Sequence, residues 1–218
     1  MAKETVVIID YGSGNLRSAA KAFEKVGADL DVKISNLAED VLAADRLVLP
    51  GQGAFGDCMD GLQALPGMVE ALNEAVLKKG RPFLGICVGM QLMATRGLEN
   101  GVHAGLNWIE GEVVPMRPGD KSLKIPHMGW NDLVFPSPGV QDNRHIVLRS
   151  IDSSNNFYFV HSFVFQCVYS RHLLAMTEYG GLIPAVVGRE NMIGVQFHPE
   201  KSQHYGLQLI SDFLDWRP

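Results

Sequence analysis

Short apolar runs alternate with amphipathic stretches through the first half of the chain. Val6 to Ile9 and Phe83 to Ile86 are apolar runs of strand length, and Asn15 to Val26 carries apolar or small residues at helical spacing. The same patterns predict two more strands and one more helix, at Val32 to Ile34, Arg46 to Leu49 and Pro66 to Lys79. Because this alternation favours parallel βαβ units, we expect an α/β fold with a doubly wound, mostly parallel central sheet flanked by helices.

The second half contains short strand-like runs separated by turn-rich segments such as Pro136 to Gly139. The predicted strands are Glu112 to Met116, Ile146 to Leu148, Tyr158 to His161, Leu173 to Thr177, Ala185 to Val187 and Ile193 to Phe197. We expect these to be antiparallel strands added to the central sheet or packed near it. Tyr205 to Trp216 has an apolar stripe and is predicted to be a closing helix. Because the composition does not shift along the chain, residues 1–218 are expected to form a single domain.

Composition and charge are those of an ordinary globular protein. Hydrophobic residues make up 46% of the chain, charged residues 20%, and the formal net charge is −5. This mild acidity gives no electrostatic reason to expect nucleic acid or an anionic membrane as a partner. The sequence has no run of about 18 apolar residues, so no membrane-spanning helix is predicted. The run at Val6 to Ile9 is too short for a signal-peptide core, and a cytoplasmic location is expected.

The three cysteines, Cys58, Cys87 and Cys167, are odd in number and widely spaced, which does not indicate a disulfide framework. No Cys-x-x-Cys pair occurs, and no histidine lies at metal-ligand spacing from a cysteine, so no structural zinc site is predicted. At least one cysteine is therefore a candidate for reactivity rather than packing.

The sequence Gly-Ile-Cys-Val-Gly at Gly85 to Gly89 follows a predicted buried strand and precedes a predicted helix from Met90 to Ala94. This pattern is typical of a nucleophile elbow, with Cys87 in the position of the serine. The sharp turn lifts the nucleophile above the sheet edge, and the helix N-terminus favours the thiolate. By itself the segment fits a buried cysteine between close-packing glycines equally well.

A thiol nucleophile needs a base, and the base needs a group that orients it. Among the seven histidines, His198 stands out because it follows the strand-like run Ile193 to Phe197. Open α/β sheets place their sites beyond the carboxyl ends of strands. Glu200 is suited to accept a hydrogen bond from the imidazole and fix its tautomer. A surface turn is the competing interpretation of His198-Pro199-Glu200.

The loop Pro50-Gly51-Gln52-Gly53 ends another predicted strand. Glycines allow backbone N–H groups to face a ligand without an intervening Cβ. The backbone at Gln52 and Gly53 is therefore a candidate for one oxyanion hydrogen bond, and the N–H of Val88 for a second. An ordinary glycine-rich turn is the alternative.

Together these motifs resemble the class I, or triad, glutamine amidotransferases in both order and spacing. Four further segments resemble one branch of that family, the glutaminase subunits of imidazole glycerol phosphate synthase in histidine biosynthesis. They are Asp10 to Leu16, Pro126 to Asn131, Tyr158 to Ser162 and His198 to Ser202. The resemblance covers nearly the whole chain. Two positions depart from the branch: Val is common where this chain has Gln52, and Leu where it has Val88. We expect Gln52 to affect the regulation of the loop and not the chemistry.

The resemblance implies a glutaminase in which Cys87 attacks the glutamine carboxamide and forms a γ-glutamyl thioester. His198 would shuttle the proton, and Glu200 would orient His198. The residues implied to bind the substrate are Gln91, Glu99, His161 and Ser162, helped by the backbone of Gly53. The family implies no cofactor and no metal.

The resemblance also implies a heterodimer with a (β/α)8-barrel synthase subunit. Ammonia would pass to that subunit, which makes imidazole glycerol phosphate and an aminoimidazole carboxamide ribotide. The residues implied to face the partner are Asn15, Trp130, Tyr158 and Lys201.

Two alternatives remain open from the sequence. One is a different glutaminase or a stand-alone cysteine hydrolase on the same fold, such as the glutaminase subunit of pyridoxal phosphate synthase or a γ-glutamyl hydrolase. The other is a non-catalytic binding protein that keeps the fold, which the intact cysteine, histidine and glutamate set disfavours.

Overall fold

The computed structural model describes residues 3–136 and 144–218. The strands in chain order are β1 (Thr5–Ile9), β2 (Asp31–Ser35), β3 (Arg46–Gly51), β4 (Phe83–Cys87), β5 (Arg96–Gly97), β6 (His103–Ala104), β7 (Gly111–Pro115), β8 (His127–Asp132), β9 (Asn156–His161), β10 (Phe163–Cys167), β11 (Leu173–Glu178), β12 (Leu182–Arg189) and β13 (Met192–Val195). The helices are α1 (Leu16–Val26), α2 (Ala38–Ala43), α3 (Phe55–Ala64), α4 (Met68–Asn73), α5 (Val88–Gln91) and α6 (Gln203–Asp215). The predicted turn at Pro136 to Gly139 lies mostly outside the described residues.

A seven-stranded sheet in the order β11-β12-β13-β4-β3-β1-β2 forms the centre of the molecule. The five strands from β13 to β2 are parallel, and β12 and β11 extend one edge in antiparallel orientation. Strands β3 and β4 are buried along their whole length, as expected for parallel strands covered on both faces. The predicted α/β class and mostly parallel central sheet are therefore confirmed.

Helices and the sheet share one apolar core in the described part of the chain. Helix α1 packs against α6, where Phe23 and Phe213 meet edge to face with ring centroids 6.3 Å apart. Helix α2 packs against α4. No helix of the described ranges is both long and apolar enough to span a membrane.

The remaining strands form two smaller units outside the central sheet. Strands β10, β7, β5 and β6 form a four-stranded sheet, and β8 pairs with β9 in an antiparallel ribbon. The ribbon contacts the 3-10 turn Pro199–Lys201, which follows β13. These units are antiparallel, as the sequence of the second half predicts, except that β5 pairs with β7 in parallel. The ribbon lies at the carboxyl edge of the central sheet, where the carbonyl of Tyr158 on β9 accepts from the N–H of His198.

Three sequence predictions differ from the structure. The strand predicted at Ile146 to Leu148 is wrong, because these residues form a 3-10 turn that packs its buried side chains near α6. The helix predicted at Pro66 to Lys79 begins at Met68 and becomes a π-helix over Glu74–Lys78. The helix predicted from Met90 to Ala94 is instead the short α5, which starts directly after the elbow.

Candidate active site

Cys87 lies at the turn between β4 and α5. Its backbone has φ +55°, a conformation that is uncommon and strained for a residue with a Cβ. The flanking glycines are required by close backbone packing rather than by their own φ angles. A Cβ on Gly89 would lie 1.8 Å from the carbonyl oxygen of Leu49, and one on Gly85 would lie 2.7 Å from the carbonyl oxygen of Gly89. The sequence therefore folds into the predicted elbow, packed onto β3.

His198 reaches the same edge because β13 runs parallel to β4, with Val195 opposite Ile86. Its Nδ1 is 2.9 Å from Oε1 of Glu200, and both side chains are buried. Since Nδ1 is committed to the carboxylate, Nε2 is the ring nitrogen left for proton exchange with Cys87. Burial lowers the pKa of His198, but hydrogen bonding to Cys87 and Glu200 and the charges of both outweigh it and raise the pKa to about 9.

The backbone of His198 is fixed by Ser202 and Tyr158. The N–H of His198 donates to the carbonyl of Tyr158 at 2.9 Å. The fully buried Ser202 hydroxyl donates to the carbonyl of His198 at 2.6 Å and accepts from the N–H of Tyr158 at 3.0 Å. These hydrogen bonds tie the backbone of the candidate base to strand β9.

Two glutamines connect the thiol to the protein interior. The side-chain amide of Gln196 donates to Sγ of Cys87 at 3.7 Å, and its Oε1 accepts from Nε2 of Gln91 at 2.9 Å. Nε2 of Gln91 also lies 3.4 Å from the carbonyl oxygen of Phe163. Gln196 and Gln91 are both buried, so this network is shielded from bulk water.

The glycine-rich loop lies directly beside the elbow, because Gly51 on β3 pairs with Cys87 on β4. The N–H of Gln52 donates to the Ser13 hydroxyl at 3.0 Å, and that hydroxyl donates back to the carbonyl of Gln52. The Gln52 N–H is therefore already used within the protein. Val88 is the first residue of α5, where backbone N–H groups have no acceptor within the helix.

A cavity of about 260 Å³ opens above Cys87. Its lining includes every residue predicted for catalysis, oxyanion binding or substrate binding except Glu200, which lies behind His198. These lining residues are Cys87, His198, Gln52, Gly53, Val88, Gln91, Glu99, His161 and Ser162. Oε2 of Glu99 accepts a hydrogen bond from the N–H of Phe55 at 2.8 Å, which orients that carboxylate at the cavity wall.

Of the four residues predicted to face a partner, Lys201 lines this cavity and the other three lie outside its lining. Trp130 is 48% exposed, and its ring meets that of Tyr158 edge to face with centroids 6.0 Å apart. Lys201 lines the cavity and places Nζ 5.9 Å from the centre of the Tyr158 ring. Asn15 is exposed at the N-terminus of α1, beyond the carboxyl end of β1.

Sequence reasoning gave no role to two residues of this site, Gln196 and Ser202. Gln196 is a lone polar residue in a buried apolar run, which is a usable signal because buried polar groups need partners. Ser202 had no signal beyond its position in the His198 to Ser202 segment. Its bond to Tyr158 joins residues 44 positions apart, which no local pattern reveals.

The chain is similar to known proteins over nearly its whole length. The family model for glutamine amidotransferase class-I matches residues 7–215. The chain is 55% identical to the imidazole glycerol phosphate synthase subunit HisH of Zymomonas mobilis, over 100% of this chain and 98% of the relative. It is 54% identical to the subunit of the same name of Rhodospirillum rubrum, over 98% of this chain and 99% of the relative. The solved structure of PurLQS from Thermotoga maritima matches with a TM-score of 0.66 at 17% identity, over 98% of this chain and 99% of that one. At this low identity the structural match shows the fold alone.

Proposed function

The chain belongs to the glutamine amidotransferase class-I family, and on this premise we propose that it is the glutaminase subunit of an imidazole glycerol phosphate synthase in histidine biosynthesis. It would hydrolyse glutamine to glutamate and ammonia. One arrangement carries the proposal: Cys87 on its strained turn shares a cavity with His198, whose Nδ1 is held by Glu200 at 2.9 Å. A nucleophile, a base and an orienting carboxylate are the parts that thioester chemistry requires.

In the proposed reaction, the Cys87 thiolate attacks the side-chain carbonyl carbon of glutamine. The tetrahedral oxyanion accepts hydrogen bonds from backbone N–H groups, of which that of Val88 is one. The intermediate collapses as the His198 imidazolium gives its proton to the leaving nitrogen, and ammonia departs from a γ-glutamyl thioester. The now neutral His198 takes a proton from water, which attacks the thioester and releases glutamate and the thiolate.

The raised pKa of His198 suits this sequence. With a pKa of about 9, the imidazole is protonated at neutral pH. Glu200 supports that charge from the side of the ring opposite to the thiol, since its Oε1 contacts Nδ1. The base thus starts the reaction already holding the proton that the leaving nitrogen needs.

The state of the oxyanion loop supports a low rate for the chain alone. The Gln52 N–H donates to Ser13, so the loop must reorient before that group can serve the oxyanion. We propose that a (β/α)8-barrel synthase subunit, docked around Asn15, Trp130, Tyr158 and Lys201, causes the reorientation when it binds its nucleotide substrate and then receives the ammonia. Equal glutaminase rates with and without the loaded partner would contradict this coupling.

Cys87→Ala in the assembled complex tests the proposal. Glutamine-dependent synthesis should be abolished, while ammonia-dependent synthesis by the same complex should survive, because the thiol serves only the hydrolysis. Both activities are measured as formation of imidazole glycerol phosphate. A parallel loss of both activities would mean that Cys87 has a structural role.

A further inference from the structure

A chain of hydrogen bonds runs from the β8–β9 ribbon to the cavity. The side-chain amide of Asn131 lies 3.3 Å from Nε2 of His127, and Nδ1 of His127 lies 3.0 Å from Nε2 of His161. Nδ1 of His161 lies 2.9 Å from the carbonyl oxygen of Phe163. The two histidines face each other across the ribbon, because His127 on β8 pairs with His161 on β9.

The groups at the two ends of this hydrogen-bonded chain determine which atom donates in each of its bonds. The Phe163 carbonyl can only accept, so Nδ1 of His161 carries the proton and its Nε2 accepts from Nδ1–H of His127. Nε2 of His127 then accepts from the amide of Asn131, which also donates to the carbonyl of Glu178 at 2.8 Å. All donors and acceptors match only if both imidazoles are neutral. Burial, the main cause for each, lowers the pKa of His127 and of His161 to about 4, in agreement with that requirement.

The inner end of this hydrogen-bonded chain reaches the thiol of Cys87. The Phe163 carbonyl that accepts from His161 also lies 3.4 Å from Nε2 of Gln91, which donates to Gln196. Gln196 in turn donates to Sγ of Cys87. Both ring nitrogens of His161 are committed to the protein, so its contribution to the cavity is to fix the position of this wall rather than to donate to glutamine.

The outer end of the hydrogen-bonded chain, at Asn131, lies beneath a surface that is proposed to face the partner. His127 and Asn131 share one face of β8, and Met128 and Trp130 lie on the other face. On that outer face Met128 is 62% exposed and Trp130 is 48% exposed. His127 is stacked between Phe159 and Tyr179, with ring centroids 4.9 and 4.1 Å away, so the imidazole has little freedom to move apart from its strand.

We propose that Asn131, His127 and His161 form a neutral hydrogen-bonded relay that positions the Phe163 carbonyl and Gln91, and so couples displacement of β8 to the cavity wall around Cys87. The role rests on the proposed glutaminase function. These three are positioning residues, since none of them is required to contact the reacting atoms.

The first test is nitrogen NMR of the histidine rings in the unmodified chain. The relay requires His127 and His161 to be neutral at pH 7, each with the proton on Nδ1 and an unprotonated Nε2. A charged ring at pH 7, or a proton on Nε2 of either residue, would overturn the relay. This measurement needs neither a substituted protein nor any activity, so it stands even if the glutaminase assignment fails.

The second test compares His127→Phe with His127→Asn in the assembled complex. Phe keeps a ring between Phe159 and Tyr179 but cannot donate to His161, whereas Asn restores a donor near the position of Nδ1 and loses the stacking. The relay predicts that Phe raises the KM for glutamine about tenfold, the effect of losing one or two hydrogen bonds. It also predicts that the KM of His127→Asn lies between those of His127→Phe and the unsubstituted complex. Ammonia-dependent synthesis should be unchanged in both variants.

His172→Phe is the matched control, because it also replaces a buried imidazole but lies outside the relay. Its KM for glutamine should match that of the unsubstituted complex. A role in packing alone would reverse the order, with Phe nearly normal and Asn impaired, and would overturn the proposal. If the unsubstituted complex failed to hydrolyse glutamine, the proposed function would fail instead, and the ring tautomers would remain the test of the relay.

Discussion

The two glycine-rich turns beside the cavity end neighbouring strands but are built differently. The elbow after β4 packs backbone against backbone, so that a Cβ on Gly89 would overlap the carbonyl of Leu49. The loop after β3 is open: a Cβ on Gly53 would have no heavy atom of the described residues within 4 Å beyond its chain neighbours, and Gln52 is exposed. The hydroxyl of Ser13 bonds to both the N–H and the carbonyl of Gln52.

This difference separates a permanent part of the site from an adjustable one. The strained Cys87 backbone is held by close packing against β3, so the fold itself fixes the position of the nucleophile. The loop is held by hydrogen bonds that another arrangement can replace at small cost, since each contributes only about 1 kcal/mol net. We therefore expect regulation to act on the loop and not on the thiol.

Gly89→Ala should have the largest effect, because the new methyl group would overlap the backbone of β3. We expect the free energy of unfolding to fall by more than about 3 kcal/mol, together with loss of Cys87 labelling by a glutamine-like electrophile. Gly53→Ala is the matched change in the open loop, with only the strain of its φ of +105° to bear. Urea unfolding of both variants provides the measurement, and equal losses would contradict the contrast between the turns.

Ser202→Ala tests whether the base belongs to the permanent part. Removing the buried hydroxyl leaves the His198 carbonyl and the Tyr158 N–H without this partner, which should lower stability by about 1–3 kcal/mol and reduce kcat for glutamine. Ser35→Ala removes another buried serine, whose hydroxyl bonds to Asp40 away from the cavity. It should affect stability without changing kcat. An unchanged kcat in Ser202→Ala would separate this serine from the positioning of His198.

Ser13→Ala should have the smallest effect on stability but a specific effect on regulation. Without the hydroxyl, the Gln52 N–H is released, and glutamine hydrolysis by the chain alone should rise about five- to tenfold, as expected for the loss of about 1 kcal/mol. The rate in the loaded complex should stay the same. Ser170→Ala, at an exposed position, is the control. A basal rate that stays the same or falls would show that this hydroxyl does not restrain the loop.

The sequence predicts best those elements whose burial can be read from the types of their side chains. The strands of the central sheet appear as apolar runs because they are buried on both faces. The sequence does not predict helix α3, because Gly56 and Gly61 lower its helical propensity. The structure explains both: a Cβ on Gly56 would lie 2.7 Å from the ring of His103, and one on Gly61 would lie 2.6 Å from the carbonyl of Tyr11.

The candidate site likewise contains residues that the sequence predicts and residues that it does not. Cys87, His198 and Glu200 could be predicted, because each has a local motif at a strand end. The parts that connect them could not, since their partners are distant in sequence: Gln196 and Cys87 are separated by 109 positions, and His127 and His161 by 34. The strand predicted at Ile146 to Leu148 failed because an apolar triplet docks equally well as a 3-10 turn.

The titration of His198 followed by NMR is the most direct test of the central claim that this imidazole faces the Cys87 sulfur. The ring should lose its proton at about pH 9 in the unsubstituted chain, and glutamine hydrolysis should fall over the same range because the imidazolium is the proton donor. In Cys87→Ala the midpoint should move clearly downward, since a partner that raises the pKa is removed while burial still lowers it. A midpoint near 6.5 in the unsubstituted chain, or the same midpoint in both proteins, would contradict the account.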